Sequence, residues 1–85
     1  MDWQQLRSQY PDCWVLVEAT KAHSSDGERV LDELALIARF DDSDSAMRDY
    51  QRHHHAAPQR EFYVLHTNRS ELDIRERRWI GARGR

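Results

Sequence analysis

Three consecutive histidines, His53 to His55 in the stretch QRHHHAAP, are the most conspicuous candidates for chemistry in this sequence. Imidazole binds zinc and transfers protons near neutral pH. Two histidines on one helix bind a single ion when they are four residues apart, as in HExxH, whereas these three are one and two residues apart. Neighbouring helix residues lie about 100° apart around the axis, so the three side chains fan outwards. We therefore interpret them as the last turn of a helix, where protonated imidazole interacts favourably with the helix dipole.

Two alternatives assign chemistry to these histidines. A metal site would require His66 or His23 to approach from a strand, and a small enzyme would use His66 together with His53 or His54. Perturbed histidines cluster at functional sites, so both alternatives stay open. No local motif supports either of them, and the sequence assigns no catalytic residue, no metal ligand and no cofactor.

The other reactive groups have structural interpretations. Cys13 is the only cysteine, which excludes an internal disulfide and a multi-cysteine zinc site. It lies beside Trp14 and Val15 at the start of an apolar run, as a small core residue would. The acidic stretch at 41–44 precedes a helix, where capping explains it better than calcium binding does. No phosphate-binding loop, GxGxxG turn, GxSxG elbow or HExxH helix occurs, which argues against the common enzyme classes.

Arginines near the C-terminus support a nucleic-acid hypothesis. Arg75, Arg77 and Arg78, with Trp79 beside them, offer phosphate contacts and one stacking surface. Acidic residues interrupt this run and the whole chain carries a net charge of −2, whereas a nucleic-acid-binding domain typically has a pI above about 9. Arginines on an edge strand also discourage pairing with other chains. Nucleic-acid binding is therefore the alternative hypothesis.

Length and charge set limits on the architecture. The 85 residues suit a single small domain (1–85), with a helical segment at 1–10 and a flexible tail at 82–85. A chain this short has a marginal core of its own, which favours a partner or a second copy. Residues 1–44 hold ten acidic against four basic side chains, a net −6, whereas residues 45–85 hold nine basic against five acidic, a net +4. No apolar run is long enough to cross a bilayer, so a cytoplasmic location is expected.

The pattern of the first half of the chain predicts a β-hairpin. Residues 13–23 are rich in β-branched and aromatic residues and predict a strand. Asp26-Gly27 is typical of a two-residue turn, because both positions tolerate positive φ. The next segment, 28–40, matches both a helical stripe and a strand. We favour a strand for 33–40, since the turn before it makes an antiparallel partner available, with a helix over 30–38 as the alternative.

The second half predicts a helix between two strands. Asp42, Ser43 or Asp44 caps a helix at about 43–57, which Pro58 ends, with Met47 and Tyr50 facing the sheet. Residues 60–67 alternate as a strand, and the crossover through the helix places it parallel to an earlier strand. The segment ERRWIG predicts a fourth strand at the sheet edge.

Several stretches of the chain resemble known sequences. The patterns YPDxWVLVEA, FDDSxxAMRxYxxxH, EFYVLHTxRxEL and RRWIG are similar to those of a group of small uncharacterised bacterial proteins, over about residues 10–82. The resemblance implies a compact ββαβ unit, which favours the strand at 33–40. It implies no catalytic motif.

The resulting hypothesis is a small α+β domain, a ββαβ(β) sheet with one main helix on one face and a short N-terminal helix. One helix covers one face of such a sheet, so the other face needs the N-terminal segment, a second copy or another protein. We therefore predict a non-enzymatic interaction or regulatory module acting as a homodimer. The candidate interaction residues are Trp14, Leu16, Tyr63, Leu65 and Trp79.

Overall fold

A computed structural model describes residues 1–75 and shows two helices and three strands. In chain order they are α1 (Trp3–Gln9), β1 (Trp14–Ser25), β2 (Glu28–Phe40), α2 (Ser43–Ala56) and β3 (Phe62–His66). The strands form one antiparallel sheet in the order β2-β1-β3. The predicted α+β class, with its ββαβ order and short N-terminal helix, is confirmed. The strand predicted in ERRWIG and the tail at 82–85 lie outside the described residues.

The β1–β2 hairpin forms around the turn that the sequence predicts. Asp26 and Gly27 have φ values of 51° and 78°, and Ser25 pairs directly with Glu28. Positive φ at both central positions gives a turn whose twist matches that of the strands. The strand reading of residues 33–40 is confirmed and extends back to Glu28, so the helix over 30–38 does not form.

The strand β3 runs in the same direction as β2, because both are antiparallel to β1. The predicted crossover therefore has β1 between its two parallel strands. Register is continuous along β1 and β3, with Leu16 opposite Val64 and Val17 opposite Tyr63. Side chains directly opposite share a face of the sheet, so Val64 lies on the face of Leu16 and Tyr63 lies on the other.

The helix α1 covers the sheet face that carries Val15 and Val17. Its Trp3 and Leu6 side chains are buried against these valines and against Leu65. Asp2 caps the helix, since its carboxylate accepts the Gln5 N–H at 2.8 Å. Of the three covers that the sequence leaves open for this face, the N-terminal segment supplies one within the described chain.

The helix α2 covers the opposite face. Its cap is Asp42, whose side chain accepts the Ser45 N–H at 2.8 Å. The helix residue that is fully buried is Ala46, while Met47 remains 43% exposed. The prediction that Met47 faces the sheet is therefore wrong. The small Ala46 side chain lets the helix backbone approach the buried Leu16, whereas apolarity alone favours the larger methionine.

Candidate interaction surface

The outer edge of β3 presents backbone groups that no described residue covers. The Ala19 N–H donates to the Glu61 carbonyl at 2.8 Å and the Thr67 N–H donates to the Cys13 carbonyl at 2.9 Å. Because hydrogen-bonding groups alternate sides along an antiparallel strand, residues 61, 63, 65 and 67 bond to β1. The N–H and C=O groups of Phe62, Val64 and His66 therefore point away from the sheet.

These outward groups are accessible to another strand. Within residues 1–75, the one bond to them is from the Arg69 N–H to the His66 carbonyl, at 3.1 Å. A carbonyl oxygen has two lone pairs, so His66 can still accept a second donor. Unpaired groups in a row are a template for pairing with another polypeptide.

The residues of β3 give this edge none of the usual protection. The strand FYVLH contains no charged residue other than its terminal histidine, no proline and no bulge against β1. Natural edge strands are commonly shielded by lysine, proline or a bulge. The β3 edge is regular, and its residues from Phe62 to Leu65 carry no charge at neutral pH, which suits the strand for pairing with an added strand.

A shallow apolar groove runs along the same edge. It has a volume of about 310 Å³ and is lined by Met47, Tyr50, Phe62, Tyr63 and Val64. Tyr63 lies on one face of the sheet and Val64 on the other, so a groove lined by both follows the strand edge. The exposed Met47 side chain forms its rim on α2. Polar backbone groups and apolar side chains thus lie together on one surface, which we call the β3 edge surface.

The helix α2 beside this surface has acidic residues at its start and basic residue types towards its end. Asp41, Asp42 and Asp44 lie at its start and the three histidines lie in its last turn, while Arg52 precedes that turn and pairs with Asp49. The backbone and side-chain hydrogen bonds from Ser45 hold the pKa of Asp42 below its usual value. The Asp42 carboxylate is therefore ionised at neutral pH.

The predicted interaction residues do not lie on one surface. Leu16 is 0% exposed and Leu65 is 4% exposed, so both belong to the core of the single chain. Trp14 is half-buried, with its ring 4.9 Å from that of His66, and Tyr63 lies on the opposite face. Trp79 lies outside the described residues. The hypothesis of one continuous apolar face formed by Trp14, Leu16, Tyr63 and Leu65 is therefore corrected by the β1–β3 register.

The three helical histidines have separate surroundings. His53 Nε2 lies 3.6 Å from an Asp49 carboxylate oxygen, and its ring is 5.6 Å from that of Phe62. His54 stacks on Tyr50, with the two ring centres 5.8 Å apart. No group of three or more possible metal ligands occurs among residues 1–75.

The two strand histidines are engaged elsewhere. His23 Nδ1 is 2.7 Å from a carboxylate oxygen of Asp32, in the exposed part of the hairpin. His66 Nδ1 accepts the Asn68 N–H at 3.1 Å, so its ring nitrogen Nε2 carries the proton in the neutral form. The structure brings neither of them to a described metal cluster with the helical histidines.

The most strongly bonded polar groups tie the sheet together. Arg29 on β2 donates to both carboxylate oxygens of Glu61, each at 2.9 Å, and the Tyr63 hydroxyl donates to the same carboxylate. The Arg29 hydrogen bonds lower the pKa of Glu61, while burial and the Glu61 carboxylate raise the pKa of Tyr63. Glu61 therefore stays ionised and Tyr63 stays protonated near neutral pH, which suits a structural tie better than proton transfer.

Cys13 and the arginines complete the candidate residues. Cys13 is buried as predicted, and its Sγ lies 3.4 Å from the Tyr10 carbonyl. Arg75 is exposed, and its backbone pairs with that of Glu28 in an isolated antiparallel β-bridge. Arg77 and Arg78 lie outside the described residues. The nucleic-acid hypothesis stays a prediction.

Comparisons of this chain with protein families, with curated proteins and with solved structures find no significant match. In the described part of the chain, no helix is long and apolar enough to span a membrane. The β3 edge surface therefore rests on geometry alone. Sequence reasoning missed it, although the uncharged run FYVLH was a signal, because the predicted edge strand was ERRWIG and the residues do not reveal the strand order β2-β1-β3.

Proposed function

We propose that this protein is a non-enzymatic interaction module, with an accessory or regulatory role, that binds a partner polypeptide by strand addition at β3. The observation that carries the proposal is the row of outward backbone groups of Phe62, Val64 and His66. Backbone hydrogen bonds supply affinity in this mode of recognition, and pockets for alternate side chains supply specificity. The groove along the β3 edge provides such a pocket.

The proposal includes a cytoplasmic location. Its support is the single buried cysteine, because small secreted domains of this size are commonly stabilised by disulfides. The absence of a membrane-spanning helix from the described residues is compatible with this location.

Photo-crosslinking in living cells tests the proposed function. We would replace Met47, at the rim of the groove, with a photoreactive phenylalanine, and use the exposed Gln9 on α1 as the matched control position. We expect Met47 to crosslink to one defined polypeptide, which is either a second copy or another protein. Equal, unspecific crosslinking at both positions would refute the proposed function.

A further inference from the structure

We propose that the polypeptide that occupies the β3 edge surface is a second copy of this chain, paired antiparallel through β3 around Val64. This inference rests on the proposed function and names its partner. The pairing joins two three-stranded sheets into one sheet of six strands. Four observations support it: the positions of the outward groups, the direction of α2, the position of Met47 and the charges at the ends of α2.

The outward groups of β3 match those of a second β3. In an antiparallel pair centred on Val64, Val64 lies opposite Val64 of the second copy, and Phe62 lies opposite His66. All of these positions have outward N–H and C=O groups, so each pair forms two backbone hydrogen bonds. The strand is thus complementary to itself, as a twofold interface requires.

The helix α2 runs opposite to β3 on the same sheet face. It begins directly after Phe40, which pairs with Trp14, and Trp14 also pairs with His66. It ends near Phe62, whose ring lies 5.6 Å from that of His53. The acidic start of α2 therefore lies at the His66 end of β3, and the basic end lies at the Phe62 end.

A twofold axis at Val64 places the two α2 helices antiparallel on one face of the joined sheet. Strands are about 4.8 Å apart. Helices seated midway between β3 and β1 would therefore lie about 10 Å from one another, and helices seated over β1 would lie about 14 Å apart. The lower value is a normal distance between packed helices, which is about 8 to 10 Å. Side chains on the facing sides of the two helices can therefore meet.

Met47 and His54 are the side chains on the facing side. Met47 lines the groove at the β3 edge, and His54 follows it by seven residues, which returns to the same side of a helix. Met47 lines the groove together with Val64, so it falls near the axis and meets Met47 of the second copy above the two Val64 side chains. This contact removes an exposed methionine from water.

Charge favours the same arrangement. The twofold axis places the end of one helix, where His54 lies, at the same end of the joined sheet as the acidic start of the other, where Asp42 and Asp44 lie. The antiparallel helices also bring opposite dipole ends together. Charge complementarity fixes register and discriminates against wrong partners.

The first experiment compares lysine substitutions at the two edges of the sheet. Light scattering of the purified chain over micromolar to millimolar concentration should show a dimer. Val64→Lys puts a charge at the centre of the interface and should weaken the dimer at least about tenfold. Val30→Lys, the same change at an exposed position of β2, should leave it unaffected. If Val64→Lys fails to fold, Met47→Lys replaces it, because Met47 is exposed and helical.

The second experiment tests the antiparallel helices at a single position. His54→Glu places a negative charge beside the acidic start of the other copy and should weaken the dimer several-fold, whereas His54→Lys should keep it or tighten it. Both variants lose the stacking on Tyr50, so the difference between them reports the charge across the interface. Equal dimer affinity for the two variants would overturn the proposed arrangement.

The two sets of experiments distinguish a failure of self-pairing from a failure of the proposed function. A chain that is monomeric at millimolar concentration, while Met47 crosslinks to another protein, refutes self-pairing and keeps strand addition. A dimer that Val64→Lys and Met47→Lys leave intact places the interface elsewhere and refutes self-pairing through β3. A monomer without specific crosslinks refutes both.

Discussion

The two edges of the sheet differ in how they are protected. On the β2 edge, the Leu34 N–H donates to the Met1 carbonyl at 2.7 Å, and the Arg29 N–H donates to the Ile74 carbonyl at 2.8 Å. The ladder between β1 and β2 is also interrupted by three register shifts. On the β3 edge, within residues 1–75, neither a covering segment nor a register shift occurs.

The two edges differ both in covering segments and in residue type, because β2 holds five Asp, Glu or Arg residues and β3 holds none. The β2 edge is covered by segments from the two ends of the described chain, each of which adds backbone hydrogen bonds. Irregular ladders and covering segments are both established ways to prevent pairing at an edge. Within residues 1–75 both occur at β2 and neither occurs at β3, which supports the proposal that a partner binds at the β3 edge.

The largest expected loss of stability comes from weakening the packing of α1, which follows the segment that covers the β2 edge. Leu6 is fully buried and anchors α1, and Met1, which precedes this helix, bonds to Leu34 of β2. Leu6→Ala should reduce the free energy of unfolding by about 2 to 5 kcal/mol, because a cavity remains in the core. Urea denaturation measures this. The exposed Gln9→Ala in the same helix should have little effect, and equal losses in both variants would contradict an anchoring role for α1.

A smaller loss of stability is expected from a change at Thr67, directly after the end of β3. Thr67 is buried, and its Oγ1 accepts the Cys13 N–H at 3.0 Å. Thr67→Val removes this acceptor and leaves a buried donor unpaired, which should cost about 1 to 3 kcal/mol in the free energy of unfolding. Thr67→Ser keeps the hydroxyl and should lose less. A valine variant as stable as the serine variant would show that the hydrogen bond does not hold β3 in place.

The tie between the two edge strands should contribute less again. Glu61→Gln weakens the paired hydrogen bonds with Arg29 on β2, and the expected loss is on the order of 1 kcal/mol at neutral pH, since the pair is partly exposed. Tyr63→Phe, which leaves the Arg29 pair intact, is the control. Thermal or urea unfolding measures both variants.

The same tie gives stability a defined pH dependence. The Arg29 hydrogen bonds hold the pKa of Glu61 below its ordinary value of 4.5 in the folded state. The contribution of Glu61 is therefore present above that pH and is lost as the pH falls through the lowered pKa. The stability difference between wild type and Glu61→Gln should shrink in that range, and a difference that grows in acid would contradict the assignment.

The smallest expected effect is that of zinc. His53, His54 and His55 have separate surroundings beside the open edge, so adding zinc should leave the solution mass by light scattering unchanged relative to a sample with chelator. A chain that pairs only with zinc would make QRHHHAAP an intermolecular metal site.

The elements were more predictable than their mutual arrangement. Asp26-Gly27 identifies the hairpin, and that turn resolves the ambiguous segment 28–40, because a strand that starts at Glu28 finds its partner at once. Local patterns of this kind depend on neighbouring residues alone. They suffice for strands, helices and caps.

The surfaces of the protein depend on register, which the alternation of residues does not specify. The pairing of Leu16 with Val64 places Tyr63 and Leu65 on the other face from the one that Leu16 occupies. The helix α2 faces the sheet with Ala46, because close approach of the backbone outweighs the greater apolar area of Met47. The bonds of Met1 and Ile74 to β2 join residues far apart in sequence, so no local signal reveals which edge is covered.

The unequal lengths of the strands have a consequence for motion. The β1–β2 hairpin extends over Trp14–Phe40, whereas β3 pairs with β1 only from Trp14 to Glu18. The far half of the hairpin is thus a two-stranded ribbon that contacts the segment around Ile74. Its backbone amides should exchange with solvent through local opening faster than the amides of the three-stranded half. Slow exchange is expected to begin near Val17 and to fade towards Asp26, which gives the molecule a rigid base and a tip that opens on its own.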